Sequence, residues 1–175
     1  SNSKKSYQKL SETYSAIEPP TWALLLAQSI RSVNLNPKIL DAAAENLTEE
    51  EIFKKIKSMS PKLICIVVYG QNVNAGTTNM SGAVNLINYL KDNKIDKSIS
   101  LIGSHAQALP KETLEKEKNI DFIFTNEGVY ALRNVLKLDS FTTSTLKNIK
   151  GIAYRENNKI LINQAEKVVP TERMD

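Results

Sequence analysis

The segment covering residues 62–69, KLICIVVY, constrains the fold more than any other part of the sequence. Its side chains are apolar at successive positions, so both faces of an extended strand would be apolar. Such a strand has to be covered on both sides, as happens in a parallel sheet with helices above and below it. The segment therefore predicts a strand covered by helices on both sides of a parallel sheet, and Cys65 within it is predicted to be a buried core side chain.

Helix and strand patterns alternate along most of the chain. Helical spacing of apolar residues, capping signals and proline positions predict helices over residues 19–33, 48–59, 80–93 and 127–138, and from Pro110 onward. Short apolar runs predict strands over residues 37–41, 62–69, 98–103 and 121–125. This alternation favours a flavodoxin-like (Rossmann-like), doubly wound parallel sheet with helices on both faces and right-handed crossovers.

The two ends of the predicted domain need separate interpretation. Residues 151–154 and 159–163 flank the turn sequence ENN and predict a small C-terminal β-hairpin. We expect one domain over residues 1–163, followed by a linker over residues 164–175. Folds of this class normally begin with an apolar strand, and residues 13–17 are a poor substitute for one, so the number of strands stays open.

Charge, hydropathy and cysteine content exclude several function classes. The 23 basic and 19 acidic residues are scattered, whereas nucleic-acid binders cluster their basic residues, so nucleic acid is not an expected partner. No apolar run reaches the roughly 18 residues that span a membrane, and we expect a cytoplasmic location without a membrane partner. One cysteine cannot form an internal disulfide, an iron-sulfur cluster or a multi-cysteine zinc site.

The segments that follow the predicted strands share a composition suited to ligand binding. They read DAAAEN, GQNVNAGTTN, GSHAQALP and NEGV, and are rich in small, glycine and amide residues. In open α/β sheets, ligands bind beyond the carboxyl ends of the strands, where these segments would meet. A large cofactor with a polar rim would suit this edge, although the same residues also make ordinary turns.

The order of several short motifs resembles one family. The motifs are Pro19 with Pro20, Asp41, Gly103 with His105 and Pro110, Glu127 with Gly128, and Gly151 with Tyr154 and Arg155. In this order they resemble the N-terminal cobalamin-binding domain of cobalamin-dependent radical S-adenosylmethionine (radical SAM) proteins. Two positions depart from the family pattern, because Ser104 and Asn126 stand where that pattern has glycine.

The resemblance implies that cobalamin lies across the carboxyl edge of the sheet. The residues implied to contact it are Asp41, Tyr69, Gly70, Gln71, Asn72, Asn74, Thr77, Thr78, Gly103, Ser104, His105, Ala106, Asn126, Glu127 and Gly128. His105 is either a cobalt ligand or a loop-ordering hydrogen-bond partner, and the second role is favoured because the D-x-H-x-x-G motif is absent. Glu127 could equally cap a helix, and Asp41 could equally cap a turn.

The resemblance also implies a role in a larger protein. The domain would present the corrinoid to a C-terminal radical SAM domain of the same chain, for methyl transfer or related radical chemistry. That domain would bind S-adenosylmethionine and a 4Fe-4S cluster through a CxxxCxxC motif that this sequence lacks, so the domain alone is not expected to be catalytic. Two alternatives stay open: an interaction or signalling module without cofactor, and a nucleotide-binding transferase domain.

Overall fold

The computed structural model describes residues 19–69, 73–170 and 172. The helices within these residues are α1 Thr21–Arg31, α2 Glu49–Met59, α3 Val73–Asp92, α4 Ser104–Ala108, α5 Pro110–Lys116, α6 Val129–Leu136 and α7 Thr143–Leu146. The strands are β1 Leu63–Val68, β2 Ser98–Gly103, β3 Phe122–Phe124, β4 Ile152–Glu156 and β5 Lys159–Ile162. None of these helices is long and apolar enough to cross a membrane.

One mixed sheet holds the strands in the order β1-β2-β3-β4-β5. β1, β2 and β3 are parallel to one another, whereas β4 is antiparallel to β3 and β5 is antiparallel to β4. The parallel strands confirm the α/β prediction made from alternation, and the fold is consistent with the flavodoxin-like class. The C-terminal hairpin is also confirmed, and it extends the main sheet because β4 pairs with β3.

Alternating side chains of the strands build two apolar clusters, one on each face of the sheet. Ile64 of β1 and Leu101 of β2 belong to the cluster that also contains residues of α2, α3 and α5. Ile102 and Phe122 belong to the other cluster, which is completed by α1, α6 and α7. Helices therefore cover both faces, as the doubly apolar sequence of β1 requires.

Several local signals in the sequence are confirmed in detail. Thr48 and Glu51 form the capping box at the start of α2, with the Glu51 carboxylate 2.8 Å from the backbone nitrogen of Thr48. These hydrogen bonds lower the pKa of Glu51. Pro110 is the first residue of α5. Asn157 and Asn158 both have positive φ, 48° and 63°, which is the geometry of a two-residue hairpin turn.

Two predictions of secondary structure were wrong. Residues 37–41 form no strand, because no described strand lies beside them to complete a ladder. Most of the predicted loop over residues 70–79 is helical, since α3 begins at Val73 and not near Met80. The weak helix propensity of its glycine, asparagine and threonine residues is overridden by packing against β1 and α4. Residues 13–17 lie outside the described part of the chain.

Candidate functional site

The carboxyl ends of β1 and β2 approach each other closely at Gly103. A Cβ atom built on Gly103 would lie 2.1 Å from the backbone oxygen of Val68. Glycine is therefore required here so that the two backbones can come together. A side chain at Gly103 would point at β1. This face of Gly103 therefore contacts β1 and not a ligand.

A second close approach joins α3 to the turn after β2. A Cβ atom built on Gly76 would lie 2.2 Å from the Ser104 hydroxyl oxygen. This hydroxyl is buried, and no hydrogen-bond partner for it exists among the described residues. Ser104 thus faces α3. Ala106, two residues further along, has its side chain fully buried in the core.

His105 lies at the surface of the same turn and contacts α3. Its Nδ1 atom is 3.1 Å from the Thr77 hydroxyl oxygen. A metal-bound histidine also uses its second ring nitrogen for such an orienting hydrogen bond. The contact with Thr77 therefore orients the imidazole and is compatible with both roles considered for His105.

A hydrogen-bonded bridge connects the ends of β1 and β3 through a residue that the sequence did not single out. The Gln107 side-chain nitrogen donates to the Tyr69 hydroxyl at 2.6 Å and to the backbone oxygen of Asn126. Burial raises the pKa of Tyr69 to about 12, so its hydroxyl stays neutral. The Tyr69 ring packs against Trp22, with 4.9 Å between ring centroids. The only sequence signal for Gln107 is its place in an amide-rich segment.

The turn after β3 is held by the C-terminal segment of the domain. The Asn126 side chain accepts from the backbone nitrogen of Gly128 at 3.0 Å and donates to the backbone oxygen of Glu166 at 3.1 Å. The Glu127 carboxylate accepts from the backbone nitrogen of Val169 at 2.5 Å. Residues 164–170, predicted as a linker, therefore pack against the candidate site.

Gly128 has two structural reasons to be glycine. Its φ of 78° lies in the left-handed region, and a Cβ atom would meet the Ile102 side chain at 2.3 Å. It also occupies the N-cap position of α6, so the helix begins two residues after Glu127. Glu127 is thus not the cap of this helix, and its carboxylate binds Val169 instead.

Asp41 closes a local turn. Its carboxylate accepts from the backbone nitrogen of Ala44 at 3.0 Å, and its backbone oxygen accepts from Glu45. This is the capping role left open by the sequence. The predicted contacts at Gly70, Gln71 and Asn72 lie outside the described residues, and Asn74 and Thr78 lie in α3 without described side chains.

A cavity of about 1140 Å³ lies beside β1, on the side away from β2. Of the predicted site residues, Asp41 and Tyr69 line it, whereas Gly103, His105 and Asn126 do not. Cys65 also lies on its wall, so this side chain is partly buried and not fully buried as predicted. The structure thus divides the predicted site into a hydrogen-bonded rim at the ends of β1, β2 and β3 and a cavity at the sheet edge.

We predict that Cys65 reacts slowly with thiol reagents in the folded protein. Burial raises the pKa of Cys65 to about 11 from an ordinary value of 9.0. At pH 8 the thiolate population should be roughly 100-fold lower than that of an unperturbed thiol, and the thiolate is the reactive form. Labelling by a chromogenic disulfide, followed by absorbance, measures the rate. The urea-unfolded chain is the control, and equal rates in both states would contradict the prediction.

Ionisable residues give no indication of a protein-built metal centre. In residues 19–69, 73–170 and 172, no group of three or more histidine, cysteine, aspartate or glutamate residues could hold a metal ion.

Comparison with known proteins gives two distant relatives. No family model matches the chain. The chain is 27% identical over 143 residues to an uncharacterized methyltransferase of Pyrococcus horikoshii, an alignment that covers 81% of this chain and 29% of the relative. It is 22% identical over 152 residues to the anaerobic magnesium-protoporphyrin IX monomethyl ester cyclase of Cereibacter sphaeroides. This second alignment covers 84% of this chain and 23% of the cyclase. The chain therefore spans less than a third of each relative.

Proposed function

We propose that this domain binds cobalamin at the carboxyl edge of β1, β2 and β3. The observation that carries the proposal is the convergence of the polar segments at this edge. His105 and Thr77 join the turn after β2 to α3, and Gln107 joins Tyr69 to Asn126. These bonds fix the polar rim before any ligand arrives, which lowers the entropic cost of binding.

The residues of the rim fit a large cofactor in their chemistry. Cobalamin carries many amide groups around its ring, and hydroxyl, imidazole and amide side chains offer both donors and acceptors to such groups. Thr77 and His105 would contact the ligand from the β2 side, and Tyr69 would contact it from the β1 side. Gly103 and Gly76 would contribute by holding the underlying elements close together.

The wider role rests on the relatives and the resemblance together. One relative is named as a methyltransferase and the other as an ester cyclase of a porphyrin. Cobalamin, when bound, supplies a cobalt centre that can carry a methyl group. We propose that this domain orients the corrinoid toward a C-terminal radical SAM domain of a longer chain, and that this second domain holds the 4Fe-4S cluster and S-adenosylmethionine.

The alternative of a signalling module of the receiver type receives less support. Such a module requires several acidic side chains grouped at the strand ends. Asp41 accepts a hydrogen bond from Ala44 within its own turn, and no acidic group of three or more forms in the described residues. The alternative of a nucleotide-binding transferase lacks a glycine-rich phosphate loop in the sequence.

Titration with hydroxocobalamin tests the proposal. We expect corrin absorbance to co-elute with the protein on gel filtration. His105→Ala and Thr77→Val should each weaken binding by about 10-fold, because each removes one side of the same hydrogen bond. The control is Lys118→Ala, which removes an exposed side chain at the opposite edge of the sheet and should leave binding unchanged.

The spectrum separates the two roles of His105. If His105 ligates cobalt, the His105→Ala variant will change the absorbance bands of bound cobalamin while Thr77→Val will not. If His105 only orders the turn, both variants will retain the wild-type bands. A folded wild-type protein that neither retains corrin nor alters its spectrum would refute the proposed function.

A further inference from the structure

The C-terminal segment of the domain, residues 164–170, lies across the turn after β3, and we call it the strap. At its start, the backbone oxygen of Gln164 accepts from the backbone nitrogen of Gly151 at 2.8 Å. Near its end, the backbone nitrogen of Val169 donates to the Glu127 carboxylate at 2.5 Å. The strap is therefore attached beside the start of β4 and again at the ligand edge.

Glu166 holds the middle of the strap through both its backbone and its side chain. Its backbone oxygen accepts from the Asn126 side chain at 3.1 Å, and its carboxylate accepts from the Asn134 side chain of α6 at 3.1 Å. The same carboxylate accepts from the backbone nitrogen of Lys167 at 2.8 Å. A Cβ atom built on Gly151 would lie 2.8 Å from the Cβ atom of Glu166, so the strap passes directly over this glycine. These contacts define a seat for Glu166 between the start of β4 and α6.

Asn126 connects the strap to the rim, and its bonding pattern fixes the orientation of its amide. The amide oxygen accepts from the backbone nitrogen of Gly128, and the amide nitrogen donates to the backbone oxygen of Glu166. A backbone nitrogen can only donate and a backbone oxygen can only accept, so the reversed amide would lose both bonds. The backbone oxygen of Asn126 accepts from Gln107, which also donates to Tyr69. One series of hydrogen bonds therefore runs from the strap to the end of β1.

The strap is held mainly by polar contacts. Every side chain from 164 to 170 is exposed or half-buried, and Val168 is 63% exposed. A segment that buries little apolar surface opens at a lower free energy than the core of the domain. The strap can accordingly leave its seat while the sheet stays folded.

We infer that the strap sets the geometry of the ligand edge, with Glu166 and Asn126 as positioning residues. The docked strap holds Asn126 and Glu127 directly. Through Asn126 and Gln107 it also restrains the Tyr69 hydroxyl. Release of the strap frees these side chains, so the rim loses the arrangement that it has before a ligand arrives. Asn126 stands where the cobalamin family pattern has glycine, which could make neither amide bond, so this connection belongs to this chain.

A ligand at the edge and the strap are coupled in both directions. If docking of the strap strengthens ligand binding by some factor, a bound ligand strengthens docking by the same factor. Occupancy of the edge therefore changes how firmly residues 164–170 are held. This coupling rests on the proposed function, whereas the hold of the strap on the turn after β3 is measurable without a cofactor.

The test without cofactor compares amide hydrogen exchange at Gly128 and Gly151 in three variants. We expect Glu166→Ala to speed exchange at both amides by about 10-fold, because it removes the carboxylate that seats the strap. The amides of β1 and β2 should keep their wild-type rates, which shows that the fold is intact. Glu166→Gln keeps an acceptor oxygen and should recover most of the protection. Lys167→Ala removes an exposed neighbouring side chain and should change neither rate.

The test with cofactor uses hydroxocobalamin and the double variant Glu166→Ala with Val169→Pro, which removes two attachments of the strap. We expect this variant to bind hydroxocobalamin about 10-fold more weakly than the wild type. Saturation of the wild type should slow exchange at Gly151 by the same factor of about 10. The double variant should lose this protection, because a ligand cannot restore a strap that has lost its attachments.

Three results would overturn the inference: equal exchange in the wild type and Glu166→Ala, wild-type affinity in the double variant, or cobalamin protection of Gly151 that persists in the double variant. The last two would leave the proposed function standing, because the edge would still bind the cofactor. If the wild-type protein binds no cobalamin, the proposed function fails. Faster exchange at Gly128 in Glu166→Ala would then still support the hold of the strap on the edge.

Discussion

Replacing Gly103 with alanine is expected to lower the free energy of unfolding by about 2–4 kcal/mol. The added Cβ would lie 2.1 Å from the Val68 oxygen and 2.9 Å from the Val68 carbonyl carbon. These are backbone atoms of a neighbouring strand, so they cannot turn away as a flexible side chain would. Relief of the overlap requires β1 and β2 to separate at their carboxyl ends. Urea unfolding monitored by circular dichroism measures the change.

The same substitution at Gly82 provides the matched control. Gly82 lies within α3, and a Cβ built there meets no atom within 4 Å. Alanine at this position should raise the free energy of unfolding by about 0.5–1 kcal/mol, because it restricts the unfolded chain and favours the helix. If alanine lowers the free energy of unfolding at Gly103 and raises it at Gly82, the close approach of Gly103 to Val68 is supported. A Gly103→Ala protein as stable as Gly82→Ala would contradict it.

This result also bears on the ligand. Gly103 belongs to the motif that resembles the cobalamin family, and this resemblance implies that a bulky residue there would block the cofactor. The structure shows that a side chain at Gly103 first meets β1, so lost binding in such a variant would not distinguish a blocked site from a distorted fold. Thr77 and His105 are better positions, because their side chains lie at the surface.

Replacing Arg155 with alanine is the second change for which we expect a large effect, a loss of about 2–4 kcal/mol of unfolding free energy. The guanidinium donates to the backbone oxygens of Leu114, Glu117 and Ile120 at distances between 2.6 and 3.1 Å. Leu114 belongs to α5, and the other two acceptors follow its end. Without Arg155 the oxygens of Leu114 and Ile120 lose the guanidinium donors, and the Glu117 oxygen keeps only the backbone nitrogen of Ile120, at 3.3 Å.

Two comparison variants sharpen this experiment. Arg155→Lys should recover only part of the loss, because a single ammonium cannot match a planar fork that reaches three separate oxygens. Arg31→Ala removes an exposed arginine at the end of α1 and should change stability by less than about 0.5 kcal/mol. If Arg155→Ala unfolds at the same urea concentration as Arg31→Ala, the bonds of Arg155 contribute nothing to stability.

Gly103 and Arg155 show that some of the motif residues that resemble the cobalamin-binding family have a structural role. Both stand among the motifs that resemble the cobalamin-binding family, and both have a complete explanation in packing and backbone hydrogen bonds. Gly128 is similar, with a positive φ and a close contact to Ile102. These positions therefore support the fold, and the case for cobalamin depends on the rim formed by Tyr69 and His105.

The sequence by itself determined the elements whose signals are local. Two apolar faces indicated that residues 63–68 form a strand covered on both sides, the Thr48 and Glu51 pair set the start of α2, and Asn157 with Asn158 set the hairpin turn. Each depends on side chains within a few positions of one another along the chain. Their geometry is therefore readable without knowledge of the rest of the molecule.

Only the tertiary structure decided the features that depend on distant neighbours. Residues 37–41 have a strand-like sequence but form no strand, since a ladder needs a partner that the described chain does not provide. Residues 73–79 have a loop-like sequence but form a helix, since Gly76 can pack against Ser104. The bridge from Tyr69 through Gln107 to Asn126 joins residues far apart in sequence. Spacing along a chain records side-chain periodicity, but it does not record which segments become neighbours when the sheet assembles.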